Sequence, residues 1–523
     1  MSDNYDVIII GAGIGGLAAG NILAKNGMKV LILEKNYACG GGVGTFMRNG
    51  WPIDISHALC AFKEGACLRN YLEYLGIYNK LEFIEEEKTF IYIRPDGKPP
   101  IFCYSDLDRY AEELRKYFPA EYSNIKRLFK EISEIWYNEV LKSYYNPSLW
   151  QLALYPFLFP RLFKYRNYTF EQFLSRFIRD PELKEVLAVG WPYLGMEKEY
   201  LSAIYMVCLF GAYHCDKTYF IKGGFGKLVD VLVEKFKELG GELKLNCQVE
   251  KILLNERREA YGVRDKQGNI YQAKRIVSNA DSKKTFLELL DKTALSNKFI
   301  KKVNNLVMTR SCVQAHIFAE AEVGKEFLSC GSIVLPFHVD LEKKLRAGLS
   351  LRDPKGTKPV CRQAGNPVLI LSVHPLENFV STSHGSDFVF NVGWYPADYQ
   401  LWKKYFDTFE KAEYQAVKAG IGQMVVEEVK KVWKIKEVKF VHVISPVSLE
   451  KWLNATDGAI YDLAITPKQS LLNRLKHETP VKNLYMVGTK TFPGSGIAGA
   501  WLSSFPFGDI MLKGKLTKGK IIL

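Results

Sequence analysis

The chain has 523 residues, 47% hydrophobic and 24% charged, a globular composition with room for two or three domains. Lys and Arg outnumber Asp and Glu by 71 to 57, for a formal charge of +14; this suits anionic surfaces such as lipid headgroups, but no basic helix, zinc module or aromatic RNA platform accompanies it, which excludes nucleic acid as an expected partner. No apolar run reaches the roughly eighteen residues of a membrane span, and the ten cysteines form no CxxC pair, which excludes a structural zinc site and leaves them as reduced thiols of a cytoplasmic protein.

The first predicted element is a βαβ unit. Val7 to Ile10 is a continuous apolar run, as expected of a strand buried on both faces. Asp3 and Asp6 stand where a signal peptide would be basic, so the run reads as strand and turn. Gly11 permits a tight turn, Gly13 lets backbone approach a pyrophosphate, and Gly16 lets the helix pack on the strand; Ile14 and Gly15 complete that turn. The helix runs through Leu17, Ala18, Ile22 and Leu23 and stops near Asn26-Gly27. A second strand ends in Glu34 and Lys35, placing a carboxylate about twenty residues beyond the glycines, where it can accept from a ribose diol. Strand, turn, helix, strand and acid in this order predict a dinucleotide site.

"CGGGVGTFMRNGWPIDISHALC" follows. Gly41, Gly42, Val43, Gly44 and Thr45 bring further backbone N–H groups toward phosphates. His57 follows Asp54 and is a candidate acid or base, with a backbone-bonding role as the alternative. Between Trp150 and Phe163 nearly every residue is apolar, aromatic or proline, and Arg161, Lys164 and Arg166 close the stretch. Two readings stand for a segment over 145–170: an amphipathic contact with one membrane leaflet, or a buried lid over a substrate tunnel. Trp191 and Tyr193 are candidates to line an apolar cavity, and His214 and Asp216 to frame its mouth.

Gly223, Gly224 and Gly226 precede a helix whose face carries Leu228, Val231, Leu232, Phe236 and Leu239. Leu243, Leu245, Cys247 and Val249 alternate as a strand, "DKQGN" turns the chain, and a buried strand returns to Asn279 and Ala280. Near the C-terminus Gly494, Gly496 and Gly499 repeat the GxGxxG pattern. As a second dinucleotide unit it fails, because the glycines lie several residues past the strand and no acid-bearing second strand follows.

These stretches carry a resemblance. Glu34, Gly40-Gly41, Gly44-Thr45, Gly50 and Asp54 resemble the second signature of FAD-containing amine oxidases and carotenoid desaturase-type proteins, with Ser56 where the pattern ends in glycine. "VGTKTFPGSGIAGAWLSS" is similar to the last signature of phytoene desaturases, carotenoid isomerases and retinol saturases, with Thr489 where many FAD proteins place an Asp. "TDGAIYDL" resembles the region before that signature, with Asp462 replacing a glycine.

The resemblance implies an α/β fold of the glutathione reductase/amine oxidase-like kind. A Rossmann-type FAD-binding domain would be assembled from 1–70, 215–290 and 475–523. An inserted α+β substrate domain would comprise 71–214 and 291–474. It implies one FAD served by two glycine devices. The first takes the pyrophosphate. The second, with Gly488, Thr489, Gly496, Ile497 and Ala498, takes the flavin end, and Val249 lies against the adenosine. The implied activity is oxidoreduction at C–C or C=C bonds of a long apolar isoprenoid or polyene, by desaturation, saturation or isomerisation, in a cytoplasmic protein peripheral to the inner face of a membrane. Two rivals are an amine oxidase-like flavoenzyme and a non-enzymatic prenyl-binding protein like the Rab-dissociation inhibitors. The latter need not keep Gly11, Gly13, Gly16 and Glu34.

Overall fold

The computed structural model describes residues 5–56, 58–94, 97–143, 154–336, 368–380, 386–397, 399–408, 411–514 and 516. Three separated stretches of chain meet in one seven-stranded sheet. Its parallel part runs Glu242–Lys244, Val30–Leu33, Tyr5–Ile10, Ile270–Ser278 and Leu484–Met486. Val249–Leu254 and Ala260–Asp265 extend it as an antiparallel hairpin. The central strands are buried on both faces, which is why they read as unbroken apolar runs. Helices Ile14–Lys25 and Phe225–Glu238 cover one side of this sheet. The stretch expected as a single strand from Leu243 to Val249 is two: Glu242–Lys244 joins the parallel edge, Val249–Leu254 the hairpin, and Leu245 between them is exposed.

A second seven-stranded sheet runs Lys434–Ile444, Ser311–Glu322, Asp387–Ala397, Val368–Pro375, Cys330–Pro336, Lys88–Tyr92, Ile101–Tyr104. Alternation sorts its residues. Val313, Ala315 and Ile317 pack with Ile421 and Val425 of helix Ala412–Lys430. Cys312 and Phe318 face the other way, into a core shared with helices Leu107–Tyr117, Tyr122–Glu134 and Ala203–His214. Among the described residues, no helix is long and apolar enough to cross a membrane.

The run Glu85-Glu86-Glu87 shows what alternation does to charge. Strand Phe83–Glu86 turns Glu85 outward to Lys217, at 2.6 Å, and Glu87 beyond it pairs with Arg109. Glu86 points inward and is 1% exposed. Burial pushes its carboxyl up to about 8, against a smaller opposing effect of the Thr218 hydroxyl. The unfolded chain ionises near the usual glutamate value while the native chain keeps its proton, so the native state binds more protons across that window. Stability is fully present below the ordinary glutamate range and falls as pH rises toward 8, at about 1.4 kcal/mol per pH unit for one such group. Glu86→Gln is expected to flatten this slope and to raise the melting temperature above pH 8. Thermal melts of both proteins over pH 4 to 9 check it; parallel profiles would show that Glu86 is ionised in the native protein.

Candidate functional site

Strand Tyr5–Ile10 ends at Gly11, whose φ of +96° turns the chain into helix Ile14–Lys25. Gly13 caps that helix with no side chain, so its first N–H groups point into an open cavity. The cavity, about 230 Å³, is walled by Gly11, Gly13, Ile14, Gly15, Glu34, Lys35, Gly41, Gly42, Val43, Val249, Asn279, Ala280, Thr489, Gly496 and Ile497. Glu34 closes one end. Its two carboxylate oxygens accept from Ala12 N at 2.8 Å and Asn36 N at 2.9 Å, which fixes the side chain and leaves lone pairs for a diol. Burial raises the Glu34 acid, with those two bonds opposing.

Glycine is required where the two glycine stretches interlock. A methyl at Gly15 would come within 2.8 Å of Gly488 Cα and 2.9 Å of Ala500 O. A methyl at Gly16 would overlap the Gly11 carbonyl oxygen. Asn279 is the shared neighbour: its amide lies 2.9 to 3.1 Å from where methyls at Gly13, Gly15 and Gly16 would sit. Gly16 and Gly488 are thus packing positions behind the wall.

Several expected site residues fall elsewhere. Gly44 and Thr45 are not in the cavity wall. Thr45 Oγ1 accepts from Gly226 N at 2.9 Å and Asp54 Oδ2 from Phe225 N at 2.7 Å, so this part of the signature caps helix Phe225–Glu238. Ala498 lines a second cavity instead. His57 lies outside the described residues. His214 is a packing residue: Nδ1 lies 2.7 Å from Tyr104 O, its ring stacks on Tyr110, and burial lowers it to about 4, so it stays neutral. Sequence reasoning missed Asp281, Lys284 and Lys490, which also line the first cavity. Their nearness to Ala280 and Thr489 was the available signal.

The second cavity adjoins the first, and the two share Gly42, Leu453, Ile460, Tyr461, Gly496 and Ile497. One face of helix Ala203–His214 supplies Ile204, Tyr205, Cys208, Leu209, Ala212 and Tyr213, spaced three and four apart. The facing sheet supplies Cys312, Gln314 and Tyr395. Among the described residues its wall carries no charged side chain. Burial pushes the Cys60, Cys208 and Cys312 thiols up to about 12, so none is a nucleophilic thiolate near neutral pH. Trp136, buried in the wall, donates to Asp216, which pairs with Lys63 at 2.7 Å.

The model of flavin containing amine oxidoreductases matches residues 14–327, which span the helix N-terminus, Glu34 and Asn279. The chain belongs to this family. It is an FAD-dependent oxidoreductase, and the glycine-walled cavity fits the cofactor: a bare helix N-terminus for an anion, and a fixed acid for a diol. The chain is 25% identical over 515 residues to a chloroplastic prolycopene isomerase of an Oncidium hybrid, covering 95% of this chain and 82% of that protein. It is likewise 25% identical over 549 residues to the all-trans-retinol 13,14-reductase of Danio rerio, covering 99% and 87%. Among solved structures, cyclohexylamine oxidase from Brevibacterium oxydans has the same fold, with a TM-score of 0.57 over 98% of this chain and 100% of that one at 16% identity.

Proposed function

We propose that this flavoenzyme acts on C–C or C=C bonds of a long apolar polyene or isoprenoid. FAD would be held by the pieces 1–70, 215–290 and 475–523, and the substrate by 71–214 and 291–474. The observation that carries the reading is the junction of a glycine-walled cavity with an uncharged one at Gly42, Gly496 and Ile497. FAD, when bound, supplies two-electron chemistry at carbon. The chain's own residues hold it at Gly11, Gly13, Ile14, Gly15, Glu34, Asn279, Gly496 and Ile497, and exclude water from the apolar side. The tyrosines there stay protonated: burial raises Tyr193, Tyr213, Tyr395 and Tyr461, and lifts Tyr205 to about 12. Tyr193 shares a hydrogen bond with Ser332, so its phenol is fixed at the cavity wall. The prolycopene and retinol substrates in the relatives' names support the polyene class. An amine oxidase reading has less support, because no carboxylate among the described wall residues would receive an ammonium group.

The test is purified holoprotein with a panel of polyenes, under oxidising and then anaerobic reducing conditions, followed by absorbance and chromatography. Conversion of a polyene with no turnover of amines is the expected result; turnover of amines alone would overturn the reading.

An exposed apolar patch supports supply from lipid. Helices Tyr155–Leu158 and Pro160–Tyr165 present Leu154, Phe157, Leu158 and Phe163 to solvent, Phe157 at 81% exposure. Leu162 on the second helix turns inward and lines the apolar cavity. Lys164 and Arg166 remain at the surface, whereas Arg161, half-buried, is ion-paired with Glu131 and Glu139. Residues 145–153 of the expected lid lie outside the described residues. An apolar patch with two cations, on helices that also line the cavity, suits an anionic leaflet. Phe157→Asp with Leu158→Asp is expected to cut cosedimentation with phosphatidylserine vesicles at least tenfold while flavin content is kept; unchanged cosedimentation would remove this patch as the contact.

A further inference from the structure

Lys490 is a charge in an unusual place. It is 2% exposed, follows Thr489 in the C-terminal glycine stretch, and lines the FAD cavity. Its ammonium has three N–H donors. One goes to Ala280 O at 2.6 Å. Asp462 Oδ2 stands 4.0 Å away, at the limit of an ion pair, and that carboxylate is already engaged: Oδ1 accepts from Ser282 Oγ at 2.6 Å and Oδ2 from Ser282 N at 3.0 Å. Asp281 and Arg474 are the other charges acting on Lys490, and they oppose each other. Asp281 is itself bound by Thr456 N and Thr456 Oγ1. A buried ammonium with one carbonyl and one distant, shared carboxylate is under-neutralised for its burial.

Its position along the cavity is fixed by its neighbours. A methyl on Gly488 would meet the Lys490 ammonium at 3.7 Å and overlap the Asn279 amide. The same amide abuts Gly13, Gly15 and Gly16 at the N-terminus of helix Ile14–Lys25. Lys490 therefore sits one side chain, Asn279, from the anion-binding helix end.

We propose that the Lys490 ammonium binds the diphosphate of FAD, complementing the helix N-terminus, and does not serve merely as the counter-ion of Asp462. The site then takes any dinucleotide fragment that carries the diphosphate. The inference rests on the FAD cofactor and is independent of the polyene reading.

The test measures FAD and ADP-ribose affinity of the full chain stripped of cofactor, by calorimetry, for the parent, Lys490→Met, Asp462→Asn and the double variant, at two salt concentrations. Lys490→Met is expected to weaken both ligands at least tenfold by the same factor and to reduce the salt dependence of binding. Asp462→Asn is expected not to weaken either. The double variant leaves no unpaired buried carboxylate, so it reports even where Lys490→Met folds poorly; it should melt like the parent and bind both ligands weakly. Two outcomes would overturn the proposal: affinities within twofold of the parent in the double variant, or loss of FAD affinity with ADP-ribose affinity kept. Neither of these depends on turnover of any substrate.

Discussion

Gly16→Ala is expected to yield a chain that retains little or no FAD and melts well below the parent. The added methyl would overlap the Gly11 carbonyl oxygen and come within 3.1 Å of Asn279 Nδ2. Neither neighbour can yield cheaply. Gly11 is at the strand-to-helix turn with φ +96°, and its carbonyl also accepts from Asn279 Nδ2 at 3.4 Å. The helix must move off the sheet, and with it the Gly15 contact with Gly488 and Ala500 opens. Overpacking in a closed core costs about 1–3 kcal/mol and more where the obstacle is backbone, so the upper end or beyond is expected. Gly42→Ala is the control. It too lies in the glycine cluster, but nothing stands within 4 Å of its added methyl and its φ is not positive. It should fold like the parent, and any loss of FAD there reports contact with the cofactor alone. Flavin absorbance per chain and a melting curve separate the two. A Gly16→Ala protein with parental melting and full flavin would show that helix and strand ends are not locked as described.

The βαβ unit was legible because its residues obey a strict order whose spacing has one structural meaning: Gly11, Gly13, Gly16 and Glu34 occupy the turn, cap, contact and strand end that the pattern demands. What was not legible depends on which way a side chain turns. Thr45 and Asp54 sit in a sequence signature, yet their oxygens go to the N–H groups of Phe225 and Gly226, a partner about 180 residues away. Glu86 sits in a run of three glutamates, and it is the strand's two-residue period that turns one of them inward. Arg161 reads as a cation at a membrane edge, but helix Tyr122–Glu134 brings Glu131 beneath it. Lys490 falls in a signature whose pattern concerns the neighbouring Thr489, and its burial depends on Ala280 and Asp462, far away in sequence. Each gap concerns long-range pairing, which local periodicity does not encode.

The second large effect concerns the apolar cavity. Cys208 lies midway along the face of helix Ala203–His214 that lines it, with Tyr205, Leu209 and Ala212 as its neighbours on that face. Cys208→Trp would project an indole into a space of about 170 Å³. Because the side chain enters a void, the overpacking penalty should stay below the roughly 1–3 kcal/mol of a filled core. The FAD cavity has no Cys208 in its wall, so flavin content and spectrum should be parental. On the proposed reading, a long polyene would thread this space to reach the junction at Gly496 and Ile497. Its kcat/KM is expected to fall at least a hundredfold, about 2.7 kcal/mol of lost transition-state access. Cys208→Ala, which enlarges the same space, should keep most activity, since the protonated thiol has no chemical part. If Cys208→Trp turns over the polyene at the parental rate with its flavin intact, the substrate reaches the flavin by another route, and the uncharged cavity has a different use.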